Sequence, residues 1–181
     1  MVIPFDSDLE LSKSELLRYS RQILLPEFGI SGQKLLKSSS VLCIGSGGLG
    51  STVLTYLASA GIGRIGIVDF DIVDLSNLHR QIIHSTESIG QDKTLSAKDR
   101  IQKINPNCKV EIHTIKLDKS NAIETIKSYQ YICDCSDNFP SRYLVNDVCV
   151  LLGKPFVYGA VFQFEGQASV FNVTPDSPNY R

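Results

Sequence analysis

A glycine-rich stretch and an acidic residue downstream of it are the first residues in this 181-residue sequence whose types and spacing point to chemistry. The stretch is Gly45-Ser46-Gly47-Gly48-Leu49-Gly50, between an apolar run and a helix-length segment. Because glycines lack a Cβ, an anion can reach the N–H groups at the helix N-terminus, so the pattern predicts a phosphate-binding turn. Asp69 follows about 20 residues later, where a carboxylate can accept hydrogen bonds from a ribose. A P-loop is excluded, because Ser51 stands where its phosphate-binding lysine is required.

Charged side chains farther along the chain indicate which nucleotide binds. Arg80 lies in a polar loop after Asp71, Lys93 lies at the start of a predicted helix, and Asp137 follows an apolar run. Two cations beside a phosphate turn suit a triphosphate better than a nicotinamide, since arginine binds phosphate oxygens in a fork and lysine acts as a point charge. Asp137 can hold Mg²⁺ through one carboxylate, with phosphates and waters as the other ligands. These residues therefore favour ATP with Mg²⁺.

Each of these residues also has an ordinary structural explanation. Arg80 or Lys93 taken singly is commonly a solvated surface charge. Asp137 and Asn138 are also typical of a helix cap. The glycine turn alone leaves NAD open, although a dehydrogenase would need a proton-transfer residue and the three histidines form no obvious set.

Strands that alternate with helices must position these side chains. Their spacing predicts an α/β fold with a doubly wound, mostly parallel, Rossmann-like sheet. Ligands of such sheets bind beyond the carboxyl ends of the strands, where the glycine turn, Asp69, Asp71 and residues 134–138 would gather. The last two strands are joined by Gln163-Phe164-Glu165 and predict a hairpin, so we expect an antiparallel sheet edge.

We predict a single nucleotide-binding domain over residues 1–181, in three parts. An N-terminal helix over residues 12–25 begins with a Ser12/Glu15 capping box. Its apolar face is formed by Leu16, Leu17, Ile23 and Leu24, at helical spacing. The nucleotide-binding core covers residues 40–161, and the edge strand covers residues 166–173.

The composition argues against several classes of function. Hydrophobic residues make up 43% of the chain, charged residues 20%, and the net charge is −1 at pH 7, so general attraction to nucleic acid or to membranes is not expected. No apolar run approaches the ~18–20 residues of a membrane span, and the start with Asp6, Asp8 and Glu10 is unlike a secretory signal. The five cysteines include no C-x-x-C pair, which predicts reduced thiols in the cytoplasm and no zinc site.

Seven motifs in this order resemble those of the MoeB and ThiF family, ATP-dependent adenylyltransferases related to ubiquitin-activating enzymes. Within that family the resemblance is closest to the molybdopterin-synthase adenylyltransferases. The motifs are Arg18-Tyr19-Ser20-Arg21-Gln22, Gly45-Ser46-Gly47-Gly48-Leu49-Gly50, Asp69-Phe70-Asp71, Ser76-Asn77-Leu78-His79-Arg80-Gln81, Gly90-Gln91-Asp92-Lys93, Asn105-Pro106 and Asp134-Cys135-Ser136-Asp137-Asn138.

The resemblance implies roles for individual residues. Arg80 and Lys93 would stabilise charge on the reacting phosphates, and Asp137 would position Mg²⁺. Asp69 would bind the ribose. Arg21 would reach into the site of a partner subunit, which implies a homodimer. The predicted nucleotide-binding residues are Gly45, Gly47, Gly48, Gly50, Asp69, Asp71, Ser76, Asn77, Leu78, His79, Arg80, Lys93, Asp137 and Asn138.

The resemblance also implies a reaction and a partner. The C-terminal glycine carboxylate of a small β-grasp, ubiquitin-like sulphur-carrier protein would be adenylated by ATP and then converted to a thiocarboxylate, in molybdopterin, thiamin or tRNA-thiolation pathways. In the family the chain continues past the position of Arg181 with a carrier-binding part, so we expect a truncated form. The alternative is a catalytically incompetent ATP-binding or dimerisation fragment.

Overall fold

A computed structural model describes residues 9–181, so Asp6 and Asp8 of the acidic start lie outside the described part. Its strands are β1 (Ser40–Ile44), β2 (Arg64–Val68), β3 (Lys109–His113), β4 (Tyr131–Asp134), β5 (Phe156–Phe162) and β6 (Glu165–Phe171). Its α-helices are α1 (Lys13–Arg18), α2 (Ser20–Ile23), α3 (Gly29–Ser38), α4 (Gly48–Ala60), α5 (Lys93–Ile104), α6 (Ala122–Lys127) and α7 (Phe139–Leu152). None of the helices in residues 9–181 is both long and apolar enough to cross a membrane.

The strands form one sheet in the order β3-β2-β1-β4-β5-β6. Strands β1 to β5 pair in parallel, and β6 pairs with β5 in antiparallel register. This arrangement confirms the predicted α/β sheet with an antiparallel edge. From β1 the chain builds β2 and β3 on one side, and it then crosses back to build β4 on the other side of β1. A crevice opens between β1 and β4, where the direction of the strand order changes.

Buried apolar side chains on both faces of the sheet hold the helices in place. Successive residues of a strand point to opposite faces, so β1 contributes to two separate clusters. One cluster joins the sheet to α6 and α7 and includes Leu42, Ile44, Ile126 and Val145. The other joins it to α4 and α5 and includes Val41, Cys43, Leu54 and Ile101. The crevice therefore lies between two firmly packed layers.

The N-terminal segment differs from the single amphipathic helix predicted over residues 12–25. The Ser12/Glu15 capping box is present, but the helix stops at Tyr19 (φ −99°, ψ 11°) and a second short helix follows. The Tyr19 ring is buried, and its hydroxyl accepts a hydrogen bond from Asn105 Nδ2 at 2.9 Å. Because this anchor fixes the turn, the predicted apolar face is not buried, and Leu17 is 78% exposed.

The edge strand also differs slightly from its predicted bounds of 166–173, since it ends at Phe171. Asn172 adopts a left-handed backbone conformation with φ +58°. Its side-chain amide donates to the carbonyl oxygens of Cys149 and Lys154, at 2.9 Å and 2.8 Å. The side chain thus anchors the chain to the end of α7 and ends the pairing with β5.

A charged cluster on β2 and β3 is centred on Glu111. Its carboxylate accepts hydrogen bonds from Arg64 at 2.6 Å and from Tyr129 at 3.0 Å, and it pairs with Lys109 at 2.8 Å. The Arg64 guanidinium also lies 4.2 Å from the centre of the Tyr129 ring. The hydrogen bonds from Arg64 and Lys109 lower the pKa of Glu111 from 4.5 to about 2.

We expect the Glu111→Gln variant to unfold more readily at pH 7, by about 1–3 kcal/mol, because Arg64 loses a charged partner. A carboxyl with a lowered folded-state pKa binds fewer protons when folded, so its contribution is present above pH 4.5 and is lost as the pH falls towards 2. Urea unfolding between pH 7 and pH 3 should therefore show a weaker acid dependence in the variant. Glu124→Gln is the control, since its exposed pair with Lys127 is worth about 0–1 kcal/mol. Equal losses in both variants would contradict the prediction.

Candidate functional site

A cavity of about 970 Å³ lies at the carboxyl ends of the central strands, where β1 and β4 meet. It is lined by residues from the loops that follow β1, β2, β3 and β4. The sequence-predicted residues that line it are Gly45, Gly47, Gly48, Asp69, Asp71, Arg80, Lys93, Asp137 and Asn138. Nine residues from three separate segments of the chain, 45–48, 69–93 and 137–138, thus share one concave surface.

The other predicted residues lie elsewhere in the described part of the chain. Ser76, Asn77, Leu78 and His79 belong to the polar loop but do not line the cavity. Arg21 is exposed on α2. Gly50 supports the turn from behind, because a Cβ at this position would lie 1.9 Å from the carbonyl oxygen of Gly45. The roles of these residues in binding stay predictions.

The glycine turn connects β1 to α4 in a conformation that needs glycine. Gly45 has φ +91°, a left-handed conformation that L side chains rarely adopt. Helix α4 begins at Gly48, and its N-cap residue, Gly47, has no side chain to occupy the first N–H groups. Since four N–H groups at a helix start have no intrahelical partner, the turn presents donors and a partial positive charge to the cavity. An anion such as a phosphate fits this surface.

Asp69 is buried at the end of β2 and holds the glycine turn. Its Oδ2 accepts hydrogen bonds from the Ser46 N–H and the Ser46 hydroxyl, both at 2.8 Å. Its Oδ1 accepts one from the Asp71 N–H at 3.0 Å. Because each carboxylate oxygen can accept two hydrogen bonds, Oδ1 keeps a lone pair for a ligand. The predicted ribose acid is therefore also a structural support of the turn.

The two predicted cations reach the cavity in different ways. Lys93 is only 5% exposed, and its Nζ lies 2.9 Å from Asp71 Oδ2. This ion pair fixes the ammonium at the cavity wall. Arg80 is exposed, and its Nη1 donates to the Ser76 carbonyl at 3.3 Å. A Cβ at Gly48 would lie 3.8 Å from Arg80 Cδ, so the arginine stem lies directly beside the turn.

The loop after β4 separates the roles of Asp137 and Asn138. The Asn138 side chain accepts a hydrogen bond from the Ser141 N–H at 3.0 Å and caps α7. Asp137 is exposed at the cavity. The loop is held from below, because Asp134 Oδ1 accepts from the Ser136 N–H at 3.0 Å. Burial raises the pKa of Asp134. The helix-cap explanation thus applies to Asn138.

One part of the cavity wall was not predicted. Residues 115–119 follow β3 and line the cavity, together with Phe70 and Arg142. Lys116 Nζ lies 5.9 Å from the centre of the Phe70 ring. Only their position in the sequence could have predicted this, since residues that follow a parallel strand reach the same sheet edge as the glycine turn. Ile115, Leu117 and Phe70 give this part of the wall an apolar surface that suits the face of a base.

Two buried polar atoms of the cavity wall lack a partner within the described residues. They are Gln81 Oε1 and Ser136 Oγ. Buried polar groups are normally hydrogen-bonded, so these atoms are suited to a polar ligand. Residues 9–181 contain no cluster of three or more His, Cys, Asp or Glu side chains that could hold a metal ion. A cation at Asp137 would therefore take its other ligands from phosphates or water.

The chain is similar to known proteins over most of its length. The model of the ThiF family matches residues 19–181. The probable adenylyltransferase/sulfurtransferase MoeZ of Mycobacterium tuberculosis is 53% identical over 174 residues, which cover 94% of this chain and 44% of MoeZ. The sulfur carrier protein adenylyltransferase of Thermus thermophilus is 52% identical, over 89% of this chain and 59% of that protein. The crystal structure of E. coli MccB with ATP is 28% identical, with a TM-score of 0.74, over 81% of this chain and 46% of that chain. The chain therefore spans roughly half the length of each of these proteins.

Proposed function

Because this chain belongs to the ThiF family, we propose that it is the nucleotide-binding part of an ATP-dependent adenylyltransferase that activates a sulphur-carrier protein. The observation that carries the proposal is the cavity, which brings an open helix start, two cations and an exposed carboxylate together. Relatives at about 50% identity that are named for adenylyltransferase activity support it. The second candidate is an ATP-binding module of the same family without adenylation activity of its own, which differs from the first in predicting no carrier-dependent pyrophosphate exchange.

The proposal gives each part of the cavity wall one task. The N–H groups of Gly47 and Gly48 bind phosphate oxygens, and Arg80 and Lys93 balance the charge of the triphosphate. Asp69 accepts a hydrogen bond from the ribose through its free lone pair. The apolar side chains at Ile115 and Leu117 contact the base. When bound, Mg²⁺ at Asp137 would neutralise charge on the phosphates.

The proposed reaction needs no nucleophile from this chain. The C-terminal carboxylate of the carrier attacks the α-phosphorus of ATP, and the bond to the β-phosphate oxygen breaks. The products are an acyl-adenylate and pyrophosphate, which carries the displaced negative charge. Alignment of the carboxylate and stabilisation of charge then supply the acceleration. The exposed position of Arg80 beside the glycine turn supports a role in holding the departing pyrophosphate.

The proposed partners are a β-grasp carrier protein and a second copy of this chain. The carrier is supported by the names of the relatives that act on sulphur carriers. The homodimer is what the family resemblance implies, since Arg21, which is exposed on α2 and does not line the cavity, would then act on the site of the partner. All five cysteines are free thiols, which supports a cytoplasmic setting.

Titration calorimetry with Mg·ATP and, separately, NADH tests the nucleotide. We expect ATP to bind and Lys93→Ala to weaken its affinity by about tenfold or more, since a charged partner of the phosphates is removed. Lys103→Ala is the control, because Lys103 is exposed on α5 and does not line the cavity. NADH binding without ATP competition would overturn the proposal. ATP binding without carrier-dependent pyrophosphate exchange would favour the second candidate.

Removal of the metal tests Asp137. We expect chelation of Mg²⁺ to weaken ATP binding to the wild type, because the metal joins the carboxylate to the phosphates. Asp137→Ala should lower the affinity for Mg·ATP about tenfold, which is the equivalent of one charged contact. The same substitution should change the affinity for metal-free ATP little. The matched control is Asp99→Ala, at an exposed position on α5. Equal effects on Mg·ATP and metal-free ATP would show that Asp137 does not act through the metal.

A further inference from the structure

His84 is a buried histidine directly behind the glycine turn. It is 7% exposed, and both of its ring nitrogens have partners. Nε2 lies 3.2 Å from the carbonyl oxygen of Ser46 in the turn, and Nδ1 lies 2.9 Å from the hydroxyl of Ser96 on α5. The ring therefore bridges the phosphate-binding turn and the helix that begins at Lys93.

The two partners determine the protonation of the ring. A carbonyl oxygen can only accept, so Nε2 carries the proton and donates to Ser46. Burial lowers the pKa of His84, the nearby charge of Lys93 acts in the same direction, and the Ser46 carbonyl and Asp69 act against it. The neutral ring then has a free acceptor at Nδ1, which accepts a hydrogen bond from the Ser96 hydroxyl. Both contacts are satisfied by one tautomer.

Ser46 is the point where several supports of the turn meet. It is fully buried, and its carbonyl also accepts a hydrogen bond from Ser51 Oγ at 3.3 Å. Its N–H and hydroxyl donate to Asp69. The carbonyl of Ser46 and the N–H of Gly47 belong to the same planar, trans peptide and point in opposite directions. A contact that holds the carbonyl therefore also aims the N–H of Gly47.

We propose that His84 is a positioning residue for phosphate binding, which aims the Gly47 N–H by holding the Ser46 carbonyl. This inference rests on the proposed function, since a nucleotide phosphate is the ligand of the turn. Ser96 lies one helical turn after Lys93, on the same side of α5. The bridge thus fixes the turn relative to the helix that carries the lysine.

Two substitutions separate the two contacts. The amide nitrogen of glutamine reaches the position of Nε2, so His84→Gln keeps a donor for Ser46 and loses the acceptor for Ser96. Asparagine reaches only the position of Nδ1, so His84→Asn keeps the contact with Ser96 and loses the one with Ser46. His113→Gln is the control, because its ring is bonded to a hydroxyl, Tyr129 Oη, at 2.9 Å and does not line the cavity.

The readout is the affinity for ATP compared with that for adenosine, measured by calorimetry. We expect His84→Asn to weaken ATP binding about tenfold, the equivalent of one hydrogen bond, and to leave adenosine binding unchanged. His84→Gln should stay within about threefold of the wild type. Equal weakening of ATP and adenosine binding in His84→Asn would overturn the proposal, because it would show a general loosening of the fold and not the loss of a phosphate contact. Wild-type ATP affinity in His84→Asn would also overturn it.

A measurement on the nucleotide-free wild type is independent of ligand and of variant folding. Nitrogen-15 NMR should show His84 as the Nε2–H tautomer at pH 7, and the Nδ1–H tautomer would refute the bridge. Amide exchange at Ser46, whose N–H donates to Asp69, should be faster in His84→Asn than in His84→Gln. If the wild type binds no ATP, the proposed function fails. The exchange rates then still decide whether His84 holds the turn.

Discussion

Replacement of Arg80 by alanine is expected to slow carrier-dependent exchange of pyrophosphate into ATP by about 100-fold or more. The guanidinium is exposed beside the glycine turn, and its hydrogen bonds stay within its own loop, to Ser76 and to His79. Its loss should therefore leave the free energy of unfolding nearly unchanged while charge on the reacting phosphates goes unbalanced. The measurement is the exchange rate at saturating ATP, with urea unfolding of the same sample.

Two further variants sharpen the test of Arg80. Arg80→Lys keeps the charge but loses the planar fork, so its rate should lie between those of the wild type and Arg80→Ala. Arg100→Ala removes an arginine that is exposed on α5 and does not line the cavity, and its rate should match the wild type. If Arg80→Ala unfolds instead, or exchanges at the wild-type rate, the catalytic role of Arg80 is wrong.

Gly50→Ala is expected to disrupt the phosphate-binding turn. A Cβ at Gly50 would lie 1.9 Å from the carbonyl oxygen of Gly45 and 3.7 Å from Cys135 Cβ, so the turn must move away from α4. We expect the free energy of unfolding to fall by about 1–3 kcal/mol, as in other overpacked sites. Affinity for Mg·ATP should fall about 100-fold, the equivalent of two hydrogen bonds to a charged group.

Gly166→Ala in β6 is the matched control for this substitution. No atom lies within 4 Å of a Cβ at Gly166, so both stability and ATP affinity should be retained. Thermal unfolding and calorimetry of the two variants provide the comparison. ATP affinity at the wild-type level in Gly50→Ala would show that the turn does not bind the phosphates.

The sequence predicted the sheet and the glycine turn well because both depend on local patterns. Apolar runs at regular spacing lead to a parallel sheet, and its carboxyl edge gathers the loops that follow the strands. The glycine stretch is correctly predicted to connect a strand to a helix, and Asp69 follows the end of β2 as expected. Such features need no knowledge of long-range contacts.

The features that the sequence does not predict depend on contacts between distant parts of the chain. The N-terminal helix was predicted as continuous, but Tyr19 is anchored by Asn105, 86 residues away, and the chain turns there. The cavity wall at residues 115–119 has no motif of its own. His84 had no apparent role in the sequence, because its partners Ser46 and Ser96 come from separate elements. Residue type and periodicity do not encode these distances.

Under the proposed function, Asp69 makes recognition of the ribose and binding of the phosphates inseparable. Its Oδ2 is fully used by Ser46, and only Oδ1 has room for a ribose hydroxyl. A substitution chosen to accept a different sugar would release Ser46 and, with it, the Gly47 peptide. Nucleotide preference in this chain is therefore constrained at the level of the scaffold, and a designer who seeks a new preference should alter the walls around Phe70 and Leu117 before the acid itself.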